Sequence, residues 1–374
     1  MANPFKKLAA MNLKKQIVLV GGGHANIQVL HSLARLNADS TTVTLISDVI
    51  KSPYSGMIPS YMAGIYPEAD LQFDLQEICK RFQFKFVHAA AQLIHADDNC
   101  VQTADGEQIR YDICSVNLGI RPAEILTDTA AGENVIYLKP ISQFINLWQK
   151  MVSADVQKIM IIGGGAGAFE VAIACRRRFS EADIVMIAGQ HGLLANESEK
   201  LKAAAKFRLR KQKINLIENS KVEKIYADQV QLSDKTKLPR QFCLVATSAQ
   251  VGPIFRNSNL PTNVQGFVRI DEELRIHGYK NIFAAGDCCD FATTSLPKAG
   301  VFAVRQGPVL FNNIKAVLAR KTSLKKYKPQ KDFLKIMVSG HNHAIANYKN
   351  FYLKGWLAWK LKDYIDRRFM RRFQ

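Results

Sequence analysis

The sequence predicts an α/β chain made of two strand–turn–helix units, the second inserted in the first, and a basic, amphipathic C-terminal helical tail. Three observations point there. Gln16-Ile17-Val18-Leu19-Val20-Gly21-Gly22-Gly23 returns 142 residues later as Lys158-Ile159-Met160-Ile161-Ile162-Gly163-Gly164-Gly165. Each copy then opens a helical pattern, with Ile27, Val29, Leu30, Leu33 and Leu36 after the first and Phe169, Val171, Ala172 and Ala174 after the second. Finally, residues 315–374 hold sixteen Lys and Arg against three Asp, in a chain whose net charge is +19.

The strands are apolar throughout, as strands of a parallel sheet covered on both faces must be. Thr42-Val43-Thr44-Leu45-Ile46 and Ile184-Val185-Met186-Ile187 supply the second strand of each unit. Further strands are expected at 112–117, 242–247 and 281–285, with a helix over 301–319. The resulting map places one Rossmann-like fold at 14–126 and 255–322, a second at 127–254, and the tail at 323–374.

Composition is globular, with 374 residues of which 48% are hydrophobic. No apolar run reaches the ~18 residues that a spanning helix needs. Lys6-Lys7 and Lys14-Lys15 precede only a short apolar run, so no secretory signal is read and a cytoplasmic location is expected. The seven cysteines form no C-x-x-C, which argues against a zinc site or a thioredoxin-type pair. No metal is expected.

The glycines carry the first chemistry. A dinucleotide pyrophosphate docks on the free amides of a helix N-terminus, and its approach requires turn residues without side chains. Gly21 and Gly23 begin one G-x-G-x-x-G, with Asn26 third; Gly163 and Gly165 begin the other, with Ala168 third. The ribose-binding acid is missing from both second strands, which end in Ser47-Asp48 and in Ala188-Gly189-Gln190-His191. Nor does an Arg stand there for a 2′-phosphate. Late in the chain, Ile282-Phe283-Ala284-Ala285-Gly286-Asp287 ends an apolar strand in a carboxylate, where α/β ligands lie.

With these residues the chain resembles the two-dinucleotide-binding-domain flavoproteins, and within them type II NADH:quinone oxidoreductases. It is closest to the pyridine nucleotide-disulfide oxidoreductase-like proteins also found fused to selenide, water dikinase. Pro53-Tyr54-Ser55-Gly56-Met57-Ile58-Pro59, residues 298–308 and the tail segment 362–370 carry the likeness together with the glycine motifs. The resemblance implies FAD at Gly21, Gly22, Gly23, His24, Ala25, Ser47, Pro53, Gly286, Asp287, Lys298, Gly300 and Val301. It implies NADH or NADPH at Gly163, Gly165, Ala166 and Gly167, and catalytic roles for Glu170 and Gln306. For Glu170 a plain first-turn helix carboxylate is the other reading. The C-x-x-x-x-C pair of the disulfide reductases is absent, and of the quinone-site pattern A-Q…Q-Q-G only Gln306 is kept.

Cys288-Cys289 reads either as a vicinal redox pair or as buried packing. His341-Asn342-His343 reads as a loop. In the tail, Leu353, Trp356, Leu357, Leu361, Tyr364 and Ile365 share a helical face, and the tryptophans with abundant Lys and Arg suit an in-plane interfacial helix rather than a nucleic-acid tail. A helix packed on the chain's own core is the alternative. The expected function is therefore an FAD-dependent NAD(P)H oxidoreductase serving a membrane quinone. It would sit peripherally on the inner face of the cell membrane through residues 351–374, with no nucleic acid and with a homodimer left open. Two other readings stand beside it: a sulfide- or selenium-linked flavin enzyme using Cys288, Cys289 or Cys114, and a non-catalytic nucleotide-binding sensor or membrane scaffold.

Overall fold

The computed structural model describes residues 14–36, 41–123, 125–247, 249–349 and 351–373. Lys6 and Lys7 lie outside the described residues. Two five-stranded parallel sheets organise the chain. The first runs in the order Ile282–Ala284, Ile113–Val116, Lys15–Val20, Thr41–Ser47, Lys85–His88. The second runs Val135–Tyr137, Phe242–Val245, Lys158–Ile162, Asp183–Ile187, Asn215–Ile217. The central strands Ile17 to Val20 and Ile159 to Ile162 are buried on both sides, which accounts for their unbroken apolar sequences. The three further strands and the helix expected from the sequence are present as Ile113–Val116, Phe242–Val245, Ile282–Ala284 and Gly300–Leu318.

Between the two sheets the chain crosses twice, and the crossings pair with each other: Arg121–Pro122 runs antiparallel to Ala249–Gln250. A close helix–helix contact sets the depth of the first unit. Pro308 lies inside helix Gly300–Leu318 and has no N–H to give Val304 O. The Gln28 side chain of helix His24–Leu33 donates to that carbonyl at 2.9 Å instead. Gly307 makes the approach feasible, since a Cβ there would stand 2.6 Å from Gln28 Nε2.

The tail departs from the expectation of a helix from residue 351. Lys335–Gly340, His343–Tyr348 and Phe351–Gly355 form an antiparallel sheet, and only then does helix Trp356–Arg371 begin. Leu353 therefore belongs to a strand and not to the helical stripe. His343 opens a strand too, leaving only His341 and Asn342 in the turn. Gly355, at φ +99°, makes the sharp change of direction between sheet and helix.

This helix is reversed relative to an ordinary surface helix. Its buried residues are Ala358, Lys362, Asp366 and Met370. Trp356, Leu357, Tyr364 and Ile365 face outward and are exposed. Hydrogen bonds and rings fasten its inner face to the first unit: Lys362 Nζ donates to Gly56 O at 2.7 Å, Tyr66 to Asp363 at 2.5 Å, and Phe369 stacks on Tyr54 at 4.9 Å. The sheet is fastened to the second unit, where Arg208 Nε donates to Ser339 O at 2.8 Å and Lys335 pairs with Glu197 at 2.7 Å.

Candidate active site

The first glycine loop is shaped by Asn117, a residue that strand Ile113–Val116 delivers to the mouth of helix His24–Leu33. Asn117 Oδ1 accepts the amides of Ala25 at 2.9 Å and Asn26 at 3.3 Å, and its Nδ2 donates to Ala285 O at 2.7 Å. A Cβ on Gly21 would lie 2.6 Å from Asn117 O, and Gly21 already sits at φ +87°. Asn26 takes the place of the third glycine because its side chain is useful there. Its amide donates to Val20 O, Gly21 O and Ser115 O, and its oxygen accepts from Ser115 Oγ at 2.7 Å. Among the described residues, the amides of Gly22, Gly23 and His24 meet no protein acceptor. They are the free donors that an anion at a helix N-terminus uses.

In front of these amides opens a cleft of about 500 Å³. Gly21, Gly22, Gly23, His24, Ser47, Pro53, Asp287 and Gly300 line it. So do Asp48, Asn117, Arg121 and Lys139, which the sequence reading left out of the site. Lys139 lies 3.4 Å from Asp287 and gives the cleft a cation beside its carboxylate. Ala25, Gly286, Lys298 and Val301 do not line the cleft. Ala25 is capped by Asn117. Gly286 donates its amide to Gln306 Oε1 at 2.7 Å, so that Gln306, fully buried, fixes the loop that presents Asp287. The Lys298 ammonium bonds Cys289 O and lies 3.9 Å over the Phe267 ring. His24 packs between Tyr54 and Phe369, with ring centroids 5.2 and 5.8 Å away. Among the described residues its buried Nε2 has no partner, and burial pushes the imidazole down to about 4.

The second glycine loop is more open. Gly165, Ala166 and Gly167 are exposed at the start of helix Ala166–Arg178, and no side chain caps this end. A Cβ on Gly165 or Gly167 would meet nothing within 4 Å, whereas one on Gly164 would stand 2.6 Å from Gly192 O. Gly163, at φ +145°, provides the turn itself.

Glu170 lies beyond the first turn of that helix, so the plain dipole-facing reading does not apply to it. Its carboxylate accepts Val338 N from the tail sheet at 2.7 Å. Burial pushes it up to about 7, against the pull of Lys362 and the Val338 amide and with a further push from Asp366. Lys362 in turn pairs with Asp366 at 2.8 Å, and Asp366 accepts from Tyr54 at 3.3 Å. A buried set of ionisable groups thus lies between helix Ala166–Arg178, the tail helix and the segment beside the cleft.

The cysteines are less engaged. Cys114, Cys288 and Cys289 are all buried. Burial pushes the Cys114 thiol far above its usual range. Cys288 and Cys289 have their sulfurs 3.8 Å apart; the bond from Cys289 lowers Cys288, while burial raises Cys289.

The sequence pattern that defines the pyridine nucleotide-disulphide oxidoreductases matches residues 15–307. The chain belongs to this family. It is similar to a type II NADH:quinone oxidoreductase of Staphylococcus saprophyticus, at 23% identity over 82% of this chain and 83% of that one. It is also similar to a probable NADH dehydrogenase of Dictyostelium discoideum, at 21% identity over 80% and 74%. Among solved structures, NDH2 from Plasmodium falciparum in complex with NADH superposes with a TM-score of 0.81 at 14% identity, covering 96% of this chain and 97% of that one. The sulfide:quinone oxidoreductase of Aquifex aeolicus superposes with a TM-score of 0.80 at 20% identity, over 96% and 91%.

The chain is accordingly an oxidoreductase that uses FAD and NAD(P)H. Its residues fit both groups. The free amides of Gly22, Gly23 and His24 suit the FAD pyrophosphate, with Asp287 and Asp48 on hand for hydroxyls. The uncapped helix at Gly165, Ala166 and Gly167 suits the nicotinamide nucleotide.

Proposed function

We propose that this NAD(P)H-dependent flavin oxidoreductase delivers its electrons to a membrane quinone, from a peripheral position on the inner face of the cell membrane. Bound FAD supplies the two-electron exchange between nicotinamide and acceptor. The chain supplies binding, orientation and protons. Glu170 holds its proton near neutrality beside the Lys362–Asp366 pair, whose Asp366 accepts from Tyr54, and this group of residues is the source that replaces a proton a quinone takes up. Cys114, Cys288 and Cys289 are buried, which weighs against sulfide or selenium chemistry at these thiols.

The observation that carries this reading is the reversed tail helix. Its ionic face closes over the proton-bearing set, and its outer face offers Trp356, Leu357, Tyr364 and Ile365 beside Lys360 and Arg368. Exposed aromatic and basic side chains on one in-plane helix suit a bilayer surface, where each basic residue adds about 1 kcal/mol next to anionic lipid. Among the described residues no helix is long and apolar enough to cross a membrane. The test is steady-state oxidation of NADH and NADPH by the purified holoprotein with ubiquinone and menaquinone analogues, and with sulfide as the competing donor. Quinone-dependent turnover supports the reading. Turnover that requires sulfide and is lost when Cys288 and Cys289 become Ser removes it.

A further inference from the structure

We propose that the nicotinamide nucleotide taken by the second glycine loop carries a 2′-phosphate, and that Lys206 is the residue that selects it. The proposal rests on that loop being the nicotinamide site and goes on to name which nucleotide binds.

A site that selects the free ribose does so with a carboxylate at the end of the second strand of the unit. Strand Asp183–Ile187 ends in Ala188, which cannot play that part. The structure brings a carboxylate close by another route. Ile187 pairs with Ile217 across the sheet, so Glu218 leaves the neighbouring strand level with Ala188. Its carboxylate is already committed, however. Glu218 Oε1 accepts Leu193 N at 3.0 Å, and Oε2 lies 2.6 Å from Lys206 Nζ. The bond to Leu193 holds the loop over residues 188–193, which is tied to the glycine loop by Leu194 N donating to Gly164 O at 2.7 Å. Glu218 thus shapes the rim of the nucleotide site, and its charge is matched by an ammonium.

The charges at this rim are paired, so no net negative charge opposes a phosphate. Lys206 is half exposed, on the face of helix Glu199–Lys211 turned to the loop. Lys202, itself paired with Glu199 at 2.8 Å, also acts on Glu218 from the same helix, one turn earlier. His191 is exposed within the loop itself. A 2′-phosphate arriving here meets Lys206 and His191, and no unpaired carboxylate among the described residues repels it. A bare 2′-hydroxyl finds no free carboxylate to accept its hydrogen bond.

Lys206 and Glu218 are coupled, and the experiment uses that. Binding of NADP+ and NAD+ to the oxidised holoprotein is measured by isothermal titration for the wild type, Lys206→Met and Glu218→Gln. The wild type binds NADP+ more tightly than NAD+. Lys206→Met weakens NADP+ by roughly tenfold, the scale of one charge-assisted bond to phosphate. It leaves NAD+ unchanged or tighter, because the Glu218 carboxylate is released for the ribose. Glu218→Gln frees Lys206 and tightens NADP+. Tighter binding of NAD+ by the wild type, or an equal loss of both nucleotides in Lys206→Met, overturns the selection by Lys206 while keeping the nicotinamide site. Failure of both nucleotides to bind overturns the site and the selection together.

Discussion

Lys362 and Asp366 form an ion pair 2.8 Å long inside the protein, on the inward side of a helix whose tryptophan and tyrosine look outward. Removing one partner leaves the other charge buried and alone, which costs far more than removing both. Lys362→Met is expected to destabilise the fold by about 3–5 kcal/mol. The double variant Lys362→Met/Asp366→Asn should recover much of that loss. Urea unfolding of the three proteins checks it, and a double variant no better than the single one would show that the bond from Lys362 to Gly56 O dominates instead.

Glu170 gives a pH signature. Burial pushes its carboxyl up from the ordinary value of 4.5 to about 7. A carboxyl raised in the folded state favours folding in its protonated form. That contribution is complete below about pH 4.5 and is lost as pH rises through 7. Glu170→Gln keeps an acceptor for Val338 N but cannot ionise. Its stability relative to the wild type should therefore grow between pH 5 and pH 8, as read by unfolding free energies at the two values. Quinone turnover of the wild type should fall over the same window and that of the variant should stay flat.

Asn117 joins three segments at the first glycine loop. Asn117→Ala leaves the buried amide of Ala25 without a partner and the carbonyl of Ala285 with only the Cys288 thiol, at a cost of about 1–3 kcal/mol. The helix start that carries the free amides loosens with it. Flavin retention through gel filtration should drop in this variant, and an unchanged flavin-to-protein ratio would mean that the glycine loop holds its shape unaided.

The outward face of the tail helix can be tested apart from its inner face. Trp356→Glu/Leu357→Glu changes two exposed residues and touches none of the buried bonds. Sedimentation with anionic vesicles should fall several-fold, while NAD(P)H oxidation with a water-soluble acceptor stays as it was. Equal sedimentation of the variant and the wild type would discard the face as a membrane contact.

The features legible in the sequence are those fixed by local chemistry. Gly21 and Gly163 announce themselves because nothing with a side chain tolerates their φ of +87° and +145° next to a neighbouring strand. Asp287 is readable because it ends an apolar strand. Asn117 is silent in sequence, since its partners Ala25 and Ala285 lie 92 and 168 positions away. The tail misled for a related reason. Lys362 and Asp366 look like a solvated face until Tyr54, 312 residues earlier, is found bonded to Asp366. Leu353 fell into the helical stripe because the sequence does not show that Gly355 breaks strand from helix.

The most direct test of the central claim is anaerobic titration of the purified protein with NADPH and with NADH, followed by the flavin absorbance. The account predicts a yellow protein with one FAD per chain that either nucleotide bleaches without any added thiol. A colourless protein that cannot be reconstituted with FAD, or bound flavin that neither nucleotide reduces, would contradict it.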